Sequence, residues 1–231
     1  MKLTVLIPVF NEISTLPVLL KEIIDLPLIN TEKEIIIVDD GSTDGTREFL
    51  KSLPATPMIR LMFHPNNLGK GAAIRSTLPH ITGDIAIIQD ADLEYDTQDY
   101  MKLIAPIQEG QTNVVYGSRL LNKNNPRGTL PFYWGGKLVT AVTNLLFHAS
   151  LTDEPTCYKV FKAHLLKSMP MKHNDFCWDV EVTARTLLRK ENIMEVPISY
   201  RPRSKKEGKK INYRDGIKTL LTLVYFRFAP S

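Results

Sequence analysis

Residues 85–96 read IAIIQDADLEYD, an apolar run that ends in a cluster of acids. Ile85, Ala86, Ile87 and Ile88 form an uninterrupted apolar run of the length of a buried strand. The run passes directly into Asp90, Asp92, Glu94 and Asp96. Residues two apart on an extended chain share a face, so Asp90 and Asp92 converge at the strand's end. Carboxylates that close repel one another unless a cation lies between them. An oxygen-only donor set suits a hard divalent ion, Mg2+ or Mn2+, that completes its shell with phosphate oxygens. Asp-x-Asp by itself is a common pattern, and an acidic turn after a strand is its other reading.

The segments upstream repeat the pattern. Leu3–Phe10 (LTVLIPVF) is apolar on both faces and ends at Asn11-Glu12; a helix is expected over Ser14–Asp25, with Ser14 as its N-cap. Glu34–Val38 (EIIIV) is a second buried strand that stops at Asp39-Asp40-Gly41-Ser42, followed by a helix over Thr43–Leu53 that Pro54 ends. Ile59–Phe63 is a third strand, and the turn HPNNLGKG leads into a helix beginning near Ala72. Strands that do not alternate in polarity and are separated by helices imply an α/β fold, with a parallel sheet covered on both faces. Such sheets bind ligands at the carboxyl ends of their strands, which gathers Asn11-Glu12, Asp39-Asp40, the turn at Asn67 and Asp90-Asp92 around one crevice. Gly69-Lys70-Gly71 continues as Ala72-Ala73-Ile74, so the dinucleotide fingerprint is absent, and no Gly-Lys pair has the Walker glycine spacing. Dehydrogenases and P-loop NTPases are disfavoured.

The 231 residues suffice for one large domain with its own core. Cys157 and Cys177 stand in no metal-ligand spacing and read as reduced thiols of a cytosolic protein. Neither a signal peptide nor a run of about 20 apolar residues is visible. The net charge of +4 is uneven: Arg201–Lys218 holds eight Lys/Arg against Glu207 and Asp215. Charge so local implies a specific anionic partner, and not general nucleic-acid binding.

Together, PVFNE, VDDGSTDGT, NNLGKGAA and DADLEYD resemble glycosyltransferase family 2 in order and spacing. YGSRL (Tyr116–Leu120), LTDEPTCYKVF (Leu151–Phe161) and PISYRPRSKKEGKK (Pro197–Lys210) extend the resemblance to the dolichyl-phosphate mannose synthase branch and its bacterial polyprenyl-phosphate relatives, over almost the whole chain. The resemblance implies a single domain of the GT-A nucleotide-sugar-binding type, with a mostly parallel central sheet and helices on both faces. A nucleotide-sugar half would span about residues 1–120 and an acceptor half about residues 121–231. It further implies that Pro8, Phe10 and Glu12 line the base and ribose pocket, that Asp39 or Asp40 holds base or ribose, and that Lys70 lies near the nucleotide. Asp90, Asp92 and Glu94 would bind Mg2+ or Mn2+, and Arg119 would contact the acceptor or leaving phosphate. The family often has Ser-Gly-Phe where this chain has Thr156-Cys157-Tyr158, and the branch frequently has Gln at the position of Glu94. His64 reads as a surface turn histidine.

In the acceptor half, Tyr133–Phe147 reads as a helix that either packs on the sheet or lies on lipid. Asp215 is expected to cap a second apolar helix reaching Phe228, too short to span a bilayer. Between them, Arg201, Arg203 and Lys205, with Lys206, Lys209 and Lys210, form a basic loop suited to an acceptor phosphate; Arg201 and Arg203 are preferred for bidentate contact. A peripheral enzyme on the cytoplasmic face of a membrane is expected, or one that borrows an anchoring partner.

The expected reaction is inverting transfer of a hexose from GDP-mannose or a UDP-hexose to a polyprenyl or dolichyl phosphate, mannose being the branch's default. A lipid phosphate is largely ionised at neutral pH and needs no base. A hydroxyl acceptor would need one, and Asp153, Asp179 and Glu181 are the candidates. Glu181 equally suits a structural pairing with Arg185 at i+4. Asp153 is expected to orient the sugar or acceptor. A transferase acting on a saccharide or soluble hydroxyl is the first alternative, and a non-catalytic nucleotide-sugar-binding subunit the second.

Overall fold

The computed structural model describes residues 1–203 and 213–228. Lys205, Lys206, Lys209 and Lys210 lie outside the described residues. Strands β1 (Lys2–Val9), β2 (Glu32–Asp39), β3 (Ile59–Phe63) and β4 (Ile85–Ile88) alternate with helices α1 (Leu16–Asp25), α2 (Thr46–Ser52) and α3 (Lys70–Thr77). After α4 (Tyr100–Gln108) come β5 (Val114–Ser118), α5 (Leu130–Phe147), β6 (Lys159–Lys162), α6 (Ala163–Lys167), α7 (Trp178–Leu188), β7 (Ile193–Pro197) and α8 (Tyr213–Phe228). One seven-stranded sheet runs in the order β3-β2-β1-β4-β6-β5-β7.

The β-branched runs explain the sheet's centre. Val5 to Ile7, Ile35 to Val38 and Ile85 to Ile88 are buried on both faces, as parallel strands covered by helices must be. β1 pairs in parallel with β2 and with β4, placing Val9 beside Asp39 and Leu6 beside Ile88. The expectation of a mostly parallel sheet holds. Its exception is β6, antiparallel to both β4 and β5. Because β6 runs the other way, β5 and β7 point along β4, and all carboxyl ends except that of β6 meet at one edge. The segment that precedes β6, residues 153–158, enters at that same edge.

Local boundaries differ from expectation where tertiary contacts set them. Thr15, and not Ser14, holds the N-cap position of α1, and its hydroxyl reaches Glu12 Oε2 at 2.9 Å without capping a helix amide. α2 starts at Thr46 because Asp44 turns back to accept from Thr46 N and Oγ1. α3 starts at Lys70, two residues early, since Gly69 at φ +101° makes the turn there. α8 is already helical at Tyr213, so Asp215 sits in its first turn and does not cap it. A second small core of Val139, Cys177, Val180 and Leu223 joins α5, α7 and α8.

Candidate active site

The carboxyl edge of the sheet opens into a cavity of about 390 Å3. Pro8 lies near the end of β1 and Phe10 and Glu12 follow it, Asp40 follows β2, Lys70 opens α3, and Asp90, Asp92 and Glu94 follow β4; all line the cavity, with Arg119 after β5. The crevice assembled from strand ends in the sequence is therefore one physical space. Asp39 is not among its lining residues. Its carboxylate is fully buried against Arg47 (Nε–Oδ2 2.5 Å) and accepts from Ser42 N, which leaves Asp40 as the carboxylate at the cavity.

Asp40 holds the turn that closes one wall. It accepts from Leu68 N at 3.0 Å and from Gly69 N at 2.7 Å, while His64 Nδ1 lies 2.7 Å from Oδ1. His64 Nε2 lies 2.9 Å from Ser76 Oγ. His64 is thus not a surface turn histidine: its side chain is 12% exposed and links β3, Asp40 and α3. A Cβ at Gly69 would fall on the Asn174 carbonyl, so the positive-φ turn and the close approach of the 171–177 segment both require glycine there.

The acidic centre is charge-balanced from two sides. Lys70 Nζ lies 3.1 Å from Asp90 Oδ1 and 3.3 Å from Asp179 Oδ2. Burial pulls the Lys70 ammonium down, but Asp179 and Asp90 outweigh it and hold its pKa well above the usual value. Arg203 reaches in from the post-β7 segment to meet both oxygens of Glu12 at 3.0 Å, and lies 3.4 Å from Asp92 Oδ2. Even so, burial, then Asp90 and Glu94, push the Asp92 carboxyl up to about 7. Leu93, between the two carboxylates, sits at φ +59°, a strained conformation for a bulky residue, and the turn that spreads Asp92 and Glu94 depends on it.

Glu94 is engaged by protein groups. It accepts from Tyr200 Oη (3.0 Å) and Arg203 N (2.7 Å), and its carbonyl accepts from Arg201 N (2.8 Å). All three expected metal carboxylates line the cavity; Asp90 and Asp92 have cationic side chains as counter-charges, whereas Glu94 also anchors residues 200–203. The Arg201 side chain is exposed and lines neither cavity described here.

Beside this space lies a second cavity of about 450 Å3, lined by Lys123, Arg127, Tyr133, Lys137 and Asp153, and sharing Arg119 and Tyr200 with the first. Lys137 Nζ lies 5.4 Å from the Tyr133 ring centroid and Arg127 Cζ lies 5.7 Å from it, so one aromatic ring steadies two cations. Arg119 at the junction is locked. Its Nε and Nη2 each donate to Asp153 at 2.7 Å, and its backbone N–H donates to Asp153 Oδ2 at 2.8 Å. Glu195 on β7 in turn accepts from the backbone of Thr152 and Asp153. Burial would raise the Asp153 pKa, but Arg119 overrides it and keeps it low. Asp153 is an ionised carboxylate spent on orienting Arg119.

The two other candidate bases are placed differently. Glu181 is fully buried, pairs with Arg185 at 2.9 Å and accepts from Lys172 N and His173 N, a structural role. Asp179 lines the first cavity between Lys70 and Lys159. Sequence reading placed the turn at Asn67 at the crevice, where Asn67 does line the cavity, but missed Tyr200, Phe176 and the second cavity's Lys123, Arg127 and Lys137. The stretch NKNNPRG (122–128) offered a signal, since two cations flank a Pro-containing turn just after Arg119.

Residues 4–169 match the family model described as glycosyl transferase family 2. The chain is 30% identical over 237 residues to the dolichyl-phosphate beta-glucosyltransferase ALG5A of Trichomonas vaginalis, covering 96% of this chain and 72% of that protein. It is 26% identical over 216 residues to the undecaprenyl-phosphate 4-deoxy-4-formamido-L-arabinose transferase of Enterobacter sp., covering 90% of this chain. It spans 62% of that protein's length, and about three fifths of its Photorhabdus and Proteus counterparts. Among solved structures, glucosyl-3-phosphoglycerate synthase from Mycobacterium tuberculosis, in complex with Mn2+, UDP and phosphoglyceric acid, aligns with a TM-score of 0.76 at 20% identity. That alignment covers 100% of this chain and 80% of the synthase, and the shared fold is of the GT-A type.

Proposed function

The chain belongs to glycosyl transferase family 2, and on that premise we propose that it transfers a hexose from a nucleotide sugar to a polyprenyl or dolichyl phosphate, with inversion at the anomeric carbon. The observation that carries the reading is the pair of cavities joined at Arg119 and Tyr200. One has an acidic centre for a cation and a diphosphate, and the other a cluster of cations for a phosphate. Residues 1–120 supply most of the donor cavity and the later half supplies the acceptor cavity, although Phe176, Asp179 and Arg203 reach back across.

Asp90 and Asp92 fit a hard divalent cation. They follow one strand end and line the cavity with Glu94, which is engaged by Tyr200 and Arg203, and burial together with the charges of Asp90 and Glu94 raises the Asp92 pKa despite Arg203. Bound there, Mg2+ or Mn2+ would neutralise charge on the departing nucleoside diphosphate. Glu12, Phe10 and Asp40 line the nucleoside end, and Lys70 offers a fixed positive charge beside the diphosphate. Arg119 presents its guanidinium at the junction, where the acceptor phosphate meets the sugar. An ionised phosphate oxygen attacks the anomeric carbon as the bond to the diphosphate breaks, so no proton needs removing. This accords with an Asp153 already spent on Arg119. Relatives named for glucosyl and formamido-arabinosyl transfer make glucose the first sugar to test, ahead of the mannose that the sequence resemblance favoured.

Among the described residues, no helix is long and apolar enough to cross a membrane. Adjoining α5 and α8 expose Trp134 (63%), Leu145 (76%) and Leu221 (64%), a surface that supports docking on lipid near the acceptor cavity. The test is transfer from labelled UDP-glucose and GDP-mannose with Mg2+ or Mn2+ and a polyprenyl phosphate, followed by organic extraction. Metal-dependent label in the lipid phase is expected. Label transferred only to a soluble hydroxyl acceptor would overturn the lipid reading, and donor binding without any turnover would favour a binding subunit.

A further inference from the structure

We propose that His173, Asp175 and Cys177 form a second cation site, for a borderline transition metal of the Zn2+ class, on the face of the molecule turned toward α8. One imidazole nitrogen, one carboxylate oxygen and one thiol sulfur lie within 4.8 Å of one another. They come from a single five-residue stretch, HNDFC, in an i, i+2, i+4 pattern, so little chain entropy opposes their convergence. Ligands of a tetrahedral zinc at about 2.0–2.3 Å from the ion stand roughly 3.5 Å apart. Closing the remaining distance requires only side-chain rotation. His173 and Asp175 have room for it, with side chains 33% and 47% exposed.

The donor set selects the ion. Sulfur and imidazole prefer Zn2+ or Co2+ over Mg2+ and Mn2+, the reverse of the oxygen-only pair Asp90 and Asp92. The two sites therefore take different metals and are distinguishable. With three protein donors the site leaves one position for water or an incoming ligand. Lys218 on α8, 3.8 Å from Asp175 Oδ2, is the charge that a bound cation would displace.

The stretch has two working edges. His173, Asp175 and Cys177 meet α8 through Phe226, Lys218 and Leu223 respectively. On the other edge Phe176 lines the donor cavity and the Asn174 carbonyl accepts from Ala72 N at the start of α3. A metal on the first edge stiffens the second, which ties occupancy of this site to the shape of the donor cavity.

The probe is Co2+ added to the purified full chain. Expected are a thiolate-to-cobalt charge-transfer band saturating at one equivalent, its displacement by Zn2+ and not by Mg2+, and its persistence in Asp90→Asn. Cys177→Ser should abolish the band, and His173→Ala should weaken Co2+ binding at least tenfold. Absence of the band in the unsubstituted protein, or its survival in Cys177→Ser, overturns the proposal. Should Cys177→Ser fail to fold, thiol labelling of the unsubstituted protein decides: Zn2+ should slow modification of Cys177 at least tenfold while leaving Cys157 unchanged, and equal rates with and without Zn2+ refute the site.

Discussion

Replacing Asp92 with Asn should make the ligand-free protein more stable while removing its response to metal. Lifting this carboxyl from its ordinary 3.8 to about 7 corresponds to about 4 kcal/mol of cost for the ionised form. A folded-state pKa above the unfolded one means that the native state binds the extra proton between those values. Stability through this group therefore falls as pH rises from about 4 to about 7, and the full cost is present above that. Asn carries no charge, and its Oδ1 can still accept from Glu94 N as Asp92 does at 3.1 Å. The pull of Arg203 at 3.4 Å is already contained in that shift, and the cost of burying an amide in place of the carboxyl offsets part of the gain. A net stabilisation of about 1–3 kcal/mol at pH 8 is expected, near zero at pH 4, which for a chain of this size is a rise in Tm of roughly 2–12 °C. The assay is thermal unfolding at both pH values, with and without Mn2+ and UDP. Unsubstituted protein should gain stability with Mn2+ and the variant should not. A variant no more stable at pH 8, or one that keeps the Mn2+-dependent rise in Tm, would refute the assignment of Asp92 as a carboxylate strained in wait for a cation.

Other expectations follow from single contacts. Asp153→Asn breaks a buried bidentate pair, so urea unfolding should show a loss of about 3 kcal/mol, and transfer should fall with donor affinity unchanged; unchanged turnover would remove its role in aligning Arg119. Gly69→Ala should cost about 1–3 kcal/mol and weaken UDP binding, because a Cβ there meets the Asn174 carbonyl at φ +101°. Glu181→Gln should destabilise by about 3 kcal/mol without altering the pH dependence of turnover, and a lost basic limb would instead make it a base. Replacing Leu145 and Leu221 by Ser should lower partitioning onto anionic vesicles about tenfold with Tm unchanged; undiminished partitioning would locate lipid docking elsewhere.

The first four strands were legible, three of them because burial on both faces leaves continuous apolar runs, whereas β5 and β7, a parallel pair, were not read as strands. Nor was β6, since KVFK (159–162) is short and no turn signal announces its reversal. At the site, the strand-end rule found the cavity and most of its lining. It could not separate Asp39 from Asp40, because adjacent residues at a strand end diverge and the choice rests on Arg47, a residue of α2. Partnerships across long separations were equally hidden. Glu94 meets Tyr200 from 106 positions away, and His64 needs both Asp40 and Ser76 before its role is visible. Arg203 was read as basic and therefore meant for phosphate, whereas here it neutralises Glu12 and Asp92. Charge type follows from sequence, but its addressee follows from topology.

The reversed strand also bears on how the protein comes off the ribosome. β4 has β1 on one side and only β6 on the other, and β5 joins the sheet through β6 and β7. Until residues 159–162 emerge, the first four strands form a sheet with the apolar edge of Ile85–Ile88 unpaired, and Val114–Ser118 has no partner at all. Closure spans more than seventy residues, a contact of the kind that slows folding and exposes strand edges meanwhile. Nascent chains stalled before residue 159 should therefore be the aggregation-prone species, and the site at the sheet's edge is completed only in the last third of synthesis.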